Sequence, residues 1–363
     1  MATLVALMPM SNTLFWDPIC QRPYDTHTIR HEATGGTEAS LSRVADALDA
    51  YVIQHNRVAE FGRYRPPSRL PGVTRVVINR DVRALPLVRE LYPDARYFLW
   101  VHEFLSLATK RGTRLVNASD LLRDMAVTII CVSDWQRRGV ELILRHRRIG
   151  DSVRVCTIYN PVDDSLTPDE SPIDYNKMVF FSAQNRGLKF ALDAFSAMRR
   201  QMPKLRLVIG NPGYKIRPFS IPDGVVNLGP QPQARIHAEV RTALCTFFPN
   251  FVLPETFGMV FAESMAMGTP LLTHDCGAAR EVIVDSEQML PVRPGYRTYE
   301  RALRGLSFRL RRGPARVATH FGLFDAYVER IRAWRSGARP HPHPDPRFLL
   351  SKVADQWRVL LSS

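Results

Sequence analysis

PETFGMVFAESMAMGTP, residues 254–270, places two glutamates, Glu255 and Glu263, eight positions apart in an otherwise apolar stretch. The run predicts a buried helix over 254–268, and a buried carboxylate is unfavourable unless a charge or a hydrogen-bond donor holds it. Pro254 stands just ahead of Glu255, and Gly258 lets backbone approach a ligand closely. If regular turns begin near Phe257, the unpaired amides of the first turn form an anion site. Glu255 then lies beside that mouth, and Glu263 sits about two turns in. An anion held by the amides and flanked by two carboxylates that accept from hydroxyls suits a sugar–phosphate–ribose ligand. From the residues alone, Glu263 as a helix-surface residue stays equally open.

Outward from this stretch, short apolar runs alternate with helical periodicity, the pattern of an α/β protein with parallel sheets. TLVALM (3–8) is a candidate first strand, followed by a polar, proline-containing stretch to Ala33. Gly35 and Gly36 open an amphipathic helix with Leu41, Val44, Ala45, Leu48 and Val52 on one face. Residues 75–80, 96–103 and 127–133 read as buried strands, and 153–163 as a strand followed by Asn160-Pro161. A second set begins at 177–185. A helix follows from Leu188, then strands at 205–210, 224–230, 243–250 and 269–275, with a further helix from about Ala279. Pro161, Pro168 and Pro172 cluster with acidic residues between the two sets. The boundaries expected are a first domain over 1–165, a second over 166–346, and a final helix over 347–363 packing on the first. GARPHPHPDPR (337–347) reads as a stiff extended spacer rather than a metal site at His341 and His343.

Composition bounds the classes. A chain of 363 residues with 45% hydrophobic and 23% charged content can bury two ordinary cores, which excludes a disordered chain. No apolar run approaches the ~18 residues of a membrane span. The N-terminal MATLVALMPMSN lacks a basic flank and reads as a strand rather than a signal peptide. Five scattered cysteines without a CxxC pair point to free thiols in a reducing cytoplasm, and away from a zinc site or a disulfide frame. The net charge of +14 is dominated by arginine, densest at 137–154 and 293–316. Either an anionic partner or a solvated basic surface accounts for it. On the first stretch, Val140, Leu142, Ile143 and Leu144 interleave with Arg137, Arg138, Arg145, Arg147 and Arg148. That pattern fits an interfacial helix on anionic lipid, or a core-packed helix with a wet basic face.

The segment from Pro254 to Ile283 closely resembles the paired-glutamate segment of retaining GT-B glycosyltransferases, glycosyltransferase family 4 (group 1 type). The matching positions are Glu255, Phe257, Gly258, Glu263, Met265, Ala266, Gly268, Pro270, Gly277, Ala278 and Glu281, with Ser264 in place of the usual alanine. The resemblance extends over most of the chain. It takes in the Gly35-Gly36 loop, the strand and helix from Ile129, the strand ending at Asn160-Pro161, the Arg186-Gly187-Leu188 helix start and the terminal ADQWRVLL. It implies an α/β GT-B fold: two Rossmann-like domains facing across a cleft, the last helix returning to the first.

The resemblance also implies roles. Glu255 contacts hydroxyls of the donor sugar, and Glu263 binds the ribose of the nucleotide. Phe257, Gly258 and Met259 offer backbone amides to sugar and pyrophosphate. Arg186 stands where the family has lysine and neutralises the pyrophosphate, which a guanidinium can do bidentately. Gly35 and Gly36 let the first-domain loop close on the donor phosphate. His102 matches the histidine beside the reacting sugar, so His102 and Glu255 are the catalytic candidates. Two departures stand out. The second basic residue expected before Arg186 is replaced by Phe180, Phe181 and Ser182, with Lys189 as a substitute one turn on. Gly35 also lies far from the assigned first strand, making 11–34 an insertion.

The function implied is retaining transfer of a hexose from a nucleotide-sugar to an acceptor hydroxyl, in polysaccharide or lipopolysaccharide assembly. The partners are a nucleotide-sugar donor, a glycan or glycolipid acceptor, and an anionic membrane surface at the inner face of the cell membrane. No cofactor is expected, and the absence of any Asp-x-Asp points away from a metal-clamped pyrophosphate. Another GT-B enzyme, such as a sugar-nucleotide epimerase or a phosphorylase, stays open as the alternative. A nucleic-acid binder would interleave aromatics with arginine on one surface. The tryptophans and tyrosines are instead spread along the chain.

Overall fold

The computed structural model describes residues 12–214, 216–250, 253–291 and 322–363. They form two compact units. The first comprises the chain up to Thr28, Gly36–Asp163 and Arg347–Ser363; the second comprises Ile29–Gly35 and Asp164–Pro346.

The first unit is built on seven strands: β1 (Thr13–Asp17), β2 (Tyr51–Gln54), β3 (Tyr64–Arg65), β4 (Arg75–Asn79), β5 (Arg96–Val101), β6 (Thr128–Cys131) and β7 (Val155–Thr157). They form one parallel sheet in the order β3-β2-β1-β4-β5-β6-β7. The helices between them are α1 (Thr26–His31), α2 (Gly36–Ala47), α3 (Leu85–Leu91), α4 (Lys110–Asn117), α5 (Ser119–Asp124) and α6 (Asp134–His146). The strands are apolar along their length because helices cover both faces, as parallel sheets require. One face packs Leu14, Trp16, Val76, Ile78, Leu99 and Ile129 with Val140, Ile143 and Leu144 of α6.

The second unit repeats the plan with β8 (Asp174–Phe181), α7 (Leu188–Gln201), β9 (Arg206–Asn211), β10 (Val225–Pro230), α8 (Gln233–Arg241), β11 (Ala243–Phe247), α9 (Met259–Ala266), β12 (Leu271–His274), α10 (Ala279–Val282), β13 (Met289–Leu290) and α11 (Leu323–Ala333). Its six parallel strands run β10-β9-β8-β11-β12-β13. Both sheets therefore start in the middle, wind one way, and then reverse. In each, the chain reverses between the first and fourth strands of the set, and open α/β sheets bind ligands outside the carboxyl ends at such a point. The last helix, α12 (Leu350–Ser362), belongs to the first unit. Its Trp357 is fully buried, edge-on to Phe15 and Trp100 with ring centroids 5.5 and 4.9 Å away. Among the described residues, no helix is long and apolar enough to cross a membrane.

Several expectations need correction. The candidate strand at 3–8 lies outside the described residues. TLFWD (Thr13–Asp17), assigned above to a polar stretch, is the central strand β1, buried throughout. Of the segment read above as an insertion, 13–17 therefore belongs to the sheet, and Gly35 follows β1 through a connection carrying α1. The helix after Gly36 ends at Ala47, followed by Asp49 in the left-handed region (φ 52°), and Val52 belongs to β2 rather than to the helix face. The helix predicted over 254–268 is shorter, Met259–Ala266, because Gly258 takes φ 90° and stops helical geometry ahead of it. On α6, Val140, Ile143 and Leu144 are core residues, and only Leu142 is exposed. The apolar face that an interfacial helix needs is already used by the sheet.

Candidate functional site

The second unit places its charged groups at the carboxyl ends of β8 and β11, the reversal point of its sheet. Beyond β8, a short turn at Gln184–Arg186 ends on Gly187 with φ 96°, and α7 starts there. Beyond β11, the chain runs to Glu255. Arg186 Nη1 lies 3.5 Å from Glu255 Oε1, and Asn250 Nδ2 donates to the same oxygen at 3.3 Å. Asn250 is itself fixed: Nδ2 donates to the Leu253 carbonyl at 2.7 Å, and Oδ1 accepts from the Leu253 amide. The first carboxylate is thus held by a cation and an amide from two separate loops.

The backbone under Glu255 is equally constrained. Glu255 pairs with Gly277 as an isolated bridge, and its carbonyl accepts from the Ala278 amide at 2.9 Å. Gly277 has φ +71°, and a Cβ there would come within 2.3 Å of the Glu255 carbonyl oxygen. Only glycine satisfies both conditions. Gly258 is the cap of α9, and a Cβ on it would meet the Phe261 ring at 2.4 Å. Phe257 is buried, and Met259, the first residue of α9, is half-buried.

Glu263 is 4% exposed, which rules out the surface reading. It faces α8: Gln233 Nε2 donates to Oε1 at 3.3 Å, and His237 Nε2 lies 3.6 Å from Oε2. The two glutamates of the opening stretch therefore answer to different elements, Glu255 to the β8 and β11 loops and Glu263 to α8. Ser264 is also explained. Its hydroxyl bridges Thr246 of β11 at 2.7 Å and the Thr269 carbonyl at 2.9 Å, a fully buried link that alanine cannot make.

Arg186 and Glu255 come together, while Lys189 does not join them. It is largely exposed and pairs along α7 with Asp193 at 3.2 Å. At the place of the missing second cation, Phe180 is a core residue stacked on Phe248. The Gln184 side-chain amide instead clasps the Arg217 backbone: Oε1 accepts from the Arg217 amide at 2.8 Å, and Nε2 donates to its carbonyl at 3.1 Å. That brings a second arginine's backbone to the turn before Arg186, a feature sequence reasoning missed because the 212–223 loop carries no motif.

His102 and Gly36 belong to the first unit, and Gly35 counts with the second. Gly36 is the first residue of α2. His102 follows β5, 8% exposed, its ring centroid 4.5 Å from that of Trp100. Burial, with Arg80 as a secondary cause, holds its pKa well below the ordinary value, so the imidazole is neutral. Nearby strand ends carry an ionic cluster that sequence reasoning also missed. Arg80 sits between Asp17 (3.4 Å) and Glu38 (3.3 Å), and the Tyr24 hydroxyl donates to Asp17 at 2.9 Å. Asp17 ends β1 and Arg80 follows β4, so a charge closing an apolar strand was the signal available.

Residues 170–305 match the sequence profile of a family described as Glycosyl transferases group 1. No curated protein sequence matches the chain. Among solved structures, sucrose-phosphate synthase from Thermosynechococcus elongatus superposes with a TM-score of 0.59 at 14% identity, over 96% of this chain and 98% of that one. The HepE protein of Anabaena, solved with UDP, gives 0.60 at 16% identity over 96% and 99%. The pneumococcal O-GlcNAc transferase GtfA, solved with UDP and GlcNAc, gives 0.53 at 13% identity over 79% of this chain, which spans 56% of its length. With two doubly wound parallel sheets, these likenesses show an α/β GT-B fold of two Rossmann-like domains.

Proposed function

We propose that the protein is a retaining glycosyltransferase of family 4 that moves a hexose from a nucleotide-sugar to an acceptor hydroxyl without a metal. The observation that carries this reading is the arrangement at the reversal point of the second sheet. Arg186 and Asn250 hold Glu255 beside the N-terminus of α9, and Glu263 is buried further along the same helix. That layout offers a cation and helix amides for a diphosphate, with a carboxylate on each side for hydroxyls.

In this proposal Glu255 accepts from hydroxyls of the donor sugar and Glu263 from the ribose. Phe257, Gly258 and Met259 present backbone to the sugar and pyrophosphate. Arg186 neutralises the leaving diphosphate, with Arg217 as the second cation in place of Lys189. Preorganised charge at the leaving group lowers the barrier by stabilising what develops in the transition state. The acceptor attacks from the face the diphosphate leaves, and a diphosphate oxygen takes the acceptor proton. His102, kept neutral by burial, offers a hydrogen bond to the reacting sugar, and the Gly35-Gly36 loop approaches the phosphate. The acceptor is a glycan or glycolipid of the cell surface, reached from the cytoplasm. A lipid contact would rest on the basic face of α6 alone.

The test is a thermal-shift panel of UDP-, GDP-, dTDP- and ADP-sugars on the wild type and on Glu263→Ala, with and without magnesium. HepE was solved with UDP-glucose, so a UDP-sugar is the first probe. One nucleotide class at about 100 times its Kd adds about 2.7 kcal/mol of stability, and the variant loses most of that gain. No shift with any donor would sink the proposal. An inverted anomeric product would sink its retaining part.

A further inference from the structure

The first unit contains a second feature that the donor-site reading leaves unused. A cavity of about 680 Å³ opens where the edge strand β7, the start of α6 and the last two turns of α12 meet. Its polar lining includes Asp134, Arg154, Thr157, Tyr159, Asp355, Gln356 and Ser363, with Cys156, Ile158, Val359 and Leu360 beside them. The volume is in the range of small-molecule sites. Asp134 follows β6, and the lining runs from Arg154 ahead of β7 to Tyr159 beyond it, so the cavity lies along the outer edge of the sheet, three strands away from the reversal point between β1 and β4.

The electrostatics narrow the occupant. Both carboxylates already have guanidinium partners. Asp134 Oδ1 accepts from Arg137 Nε at 3.1 Å and from the Thr157 hydroxyl at 2.7 Å, and Asp355 pairs with Arg358 at 2.7 Å. A free cation would have to compete with those arginines. A phosphate or carboxylate ligand would have to take Arg154, the one guanidinium of the lining among the described residues, while turning its remaining acceptor oxygens toward the acceptor oxygens of Asp134 and Asp355. A peptide strand adding to the sheet finds only three residues in β7. A neutral ligand dense in both donors and acceptors, with an apolar face, meets none of these objections. Its hydroxyls can donate to the carboxylates and accept from Arg154, Gln356 and Thr157, while its C–H face covers Val359 and Leu360. Tyr159 is a fixed wall, with the Phe348 ring edge-on at 5.1 Å and the Arg347 guanidinium 5.6 Å from its ring centre.

We infer that this cavity is a binding site for a neutral carbohydrate unit. Its service to the acceptor glycan rests on the proposed sugar-transfer reading; the binding itself does not.

The experiment is saturation-transfer NMR on the full chain with maltose, cellobiose and lactose as probes, and inorganic phosphate as the competitor. Asp355 and Gln356 are exposed, so the double variant Asp355→Ala/Gln356→Ala folds without a core penalty. At least one disaccharide binds the wild type, and the double variant binds it about tenfold more weakly, the size expected for losing one or two hydrogen bonds. Thr157→Val, which also frees Asp134 from its hydroxyl, weakens it independently. Absence of disaccharide binding, binding unchanged in the double variant, or displacement of the sugar by phosphate would each overturn the site. The donor thermal shift is measured on the same double variant. If it persists while disaccharide binding is absent, this inference has failed and the donor reading has not. If the wild type binds disaccharide but no donor, the reverse holds.

Discussion

Gly277→Ala tests whether one backbone position sets the site. Gly277 has φ +71°, and an added Cβ would lie 2.3 Å from the Glu255 carbonyl oxygen and 2.8 Å from its amide nitrogen. Atoms of this kind do not approach below 3.0 Å, so the Glu255 backbone must retreat by at least about 0.7 Å. That retreat weakens the 2.9 Å bond from Ala278 to the Glu255 carbonyl, and it carries the carboxylate away from Arg186. Left-handed backbone costs a non-glycine residue about 1–2 kcal/mol, and a weakened buried hydrogen bond adds about 1 kcal/mol more. The expected loss is roughly 2–3 kcal/mol. Gly229→Ala is the control, because its φ of +66° is similar but nothing lies within 4 Å of the added Cβ. It loses the conformational part alone, about 1–2 kcal/mol. Urea denaturation of both variants gives the stabilities, and calorimetric titration with the donor found in the panel gives affinity. Gly277→Ala loses donor affinity by tenfold or more, on the order of a misplaced charge-assisted contact, and Gly229→Ala does not. Equal destabilisation of the two, with donor affinity kept in both, would refute the claim that Gly277 positions Glu255.

Two further predictions concern stability. His274 is fully buried and its pKa is pushed down to about 4, chiefly by burial. The unfolded chain, with an ordinary value near 6.5, binds the proton first, so stability is full above about pH 6.5 and falls as pH drops toward 4. By pH 5 this group alone removes about 2 kcal/mol relative to pH 7.5. His274→Gln should flatten that acid limb in denaturation curves, and an unchanged slope would show that other groups set it. Trp357 of α12 is fully buried, edge-on to Phe15 and Trp100, and its indole N–H has no hydrogen-bond partner among the described residues. Trp357→Ala therefore loses packing alone, about 3–5 kcal/mol from the first unit. A loss below about 1 kcal/mol by the same measurement would mean that α12 does not complete that core.

The sequence by itself determined the fold class and the chemistry offered at the second sheet's reversal point. Alternation of apolar runs with helical periodicity is a local property, and it placed β4, β5, β6, β9, β11, β12 and α7 within a few residues. The spacing of Glu255, Gly258 and Glu263 is also local, and so was legible. What the sequence left hidden depends on contacts between distant segments. β1 was missed because TLFWD is short and ends on Asp17, whose place is explained only by Arg80 and Tyr24 beside it. Glu263 fits a surface or a buried, ligand-facing position equally well until α8 supplies Gln233 and His237. Lys189 looks like a spare cation until the turn of α7 gives it to Asp193. The apolar residues of α6 fit either a lipid surface or a core until the sheet claims them. In each case the residue type set what a side chain could do. Which partner it does it with followed from strand order and helix packing, because the loss of solvation on burial is made good only by groups that the fold brings within hydrogen-bond reach.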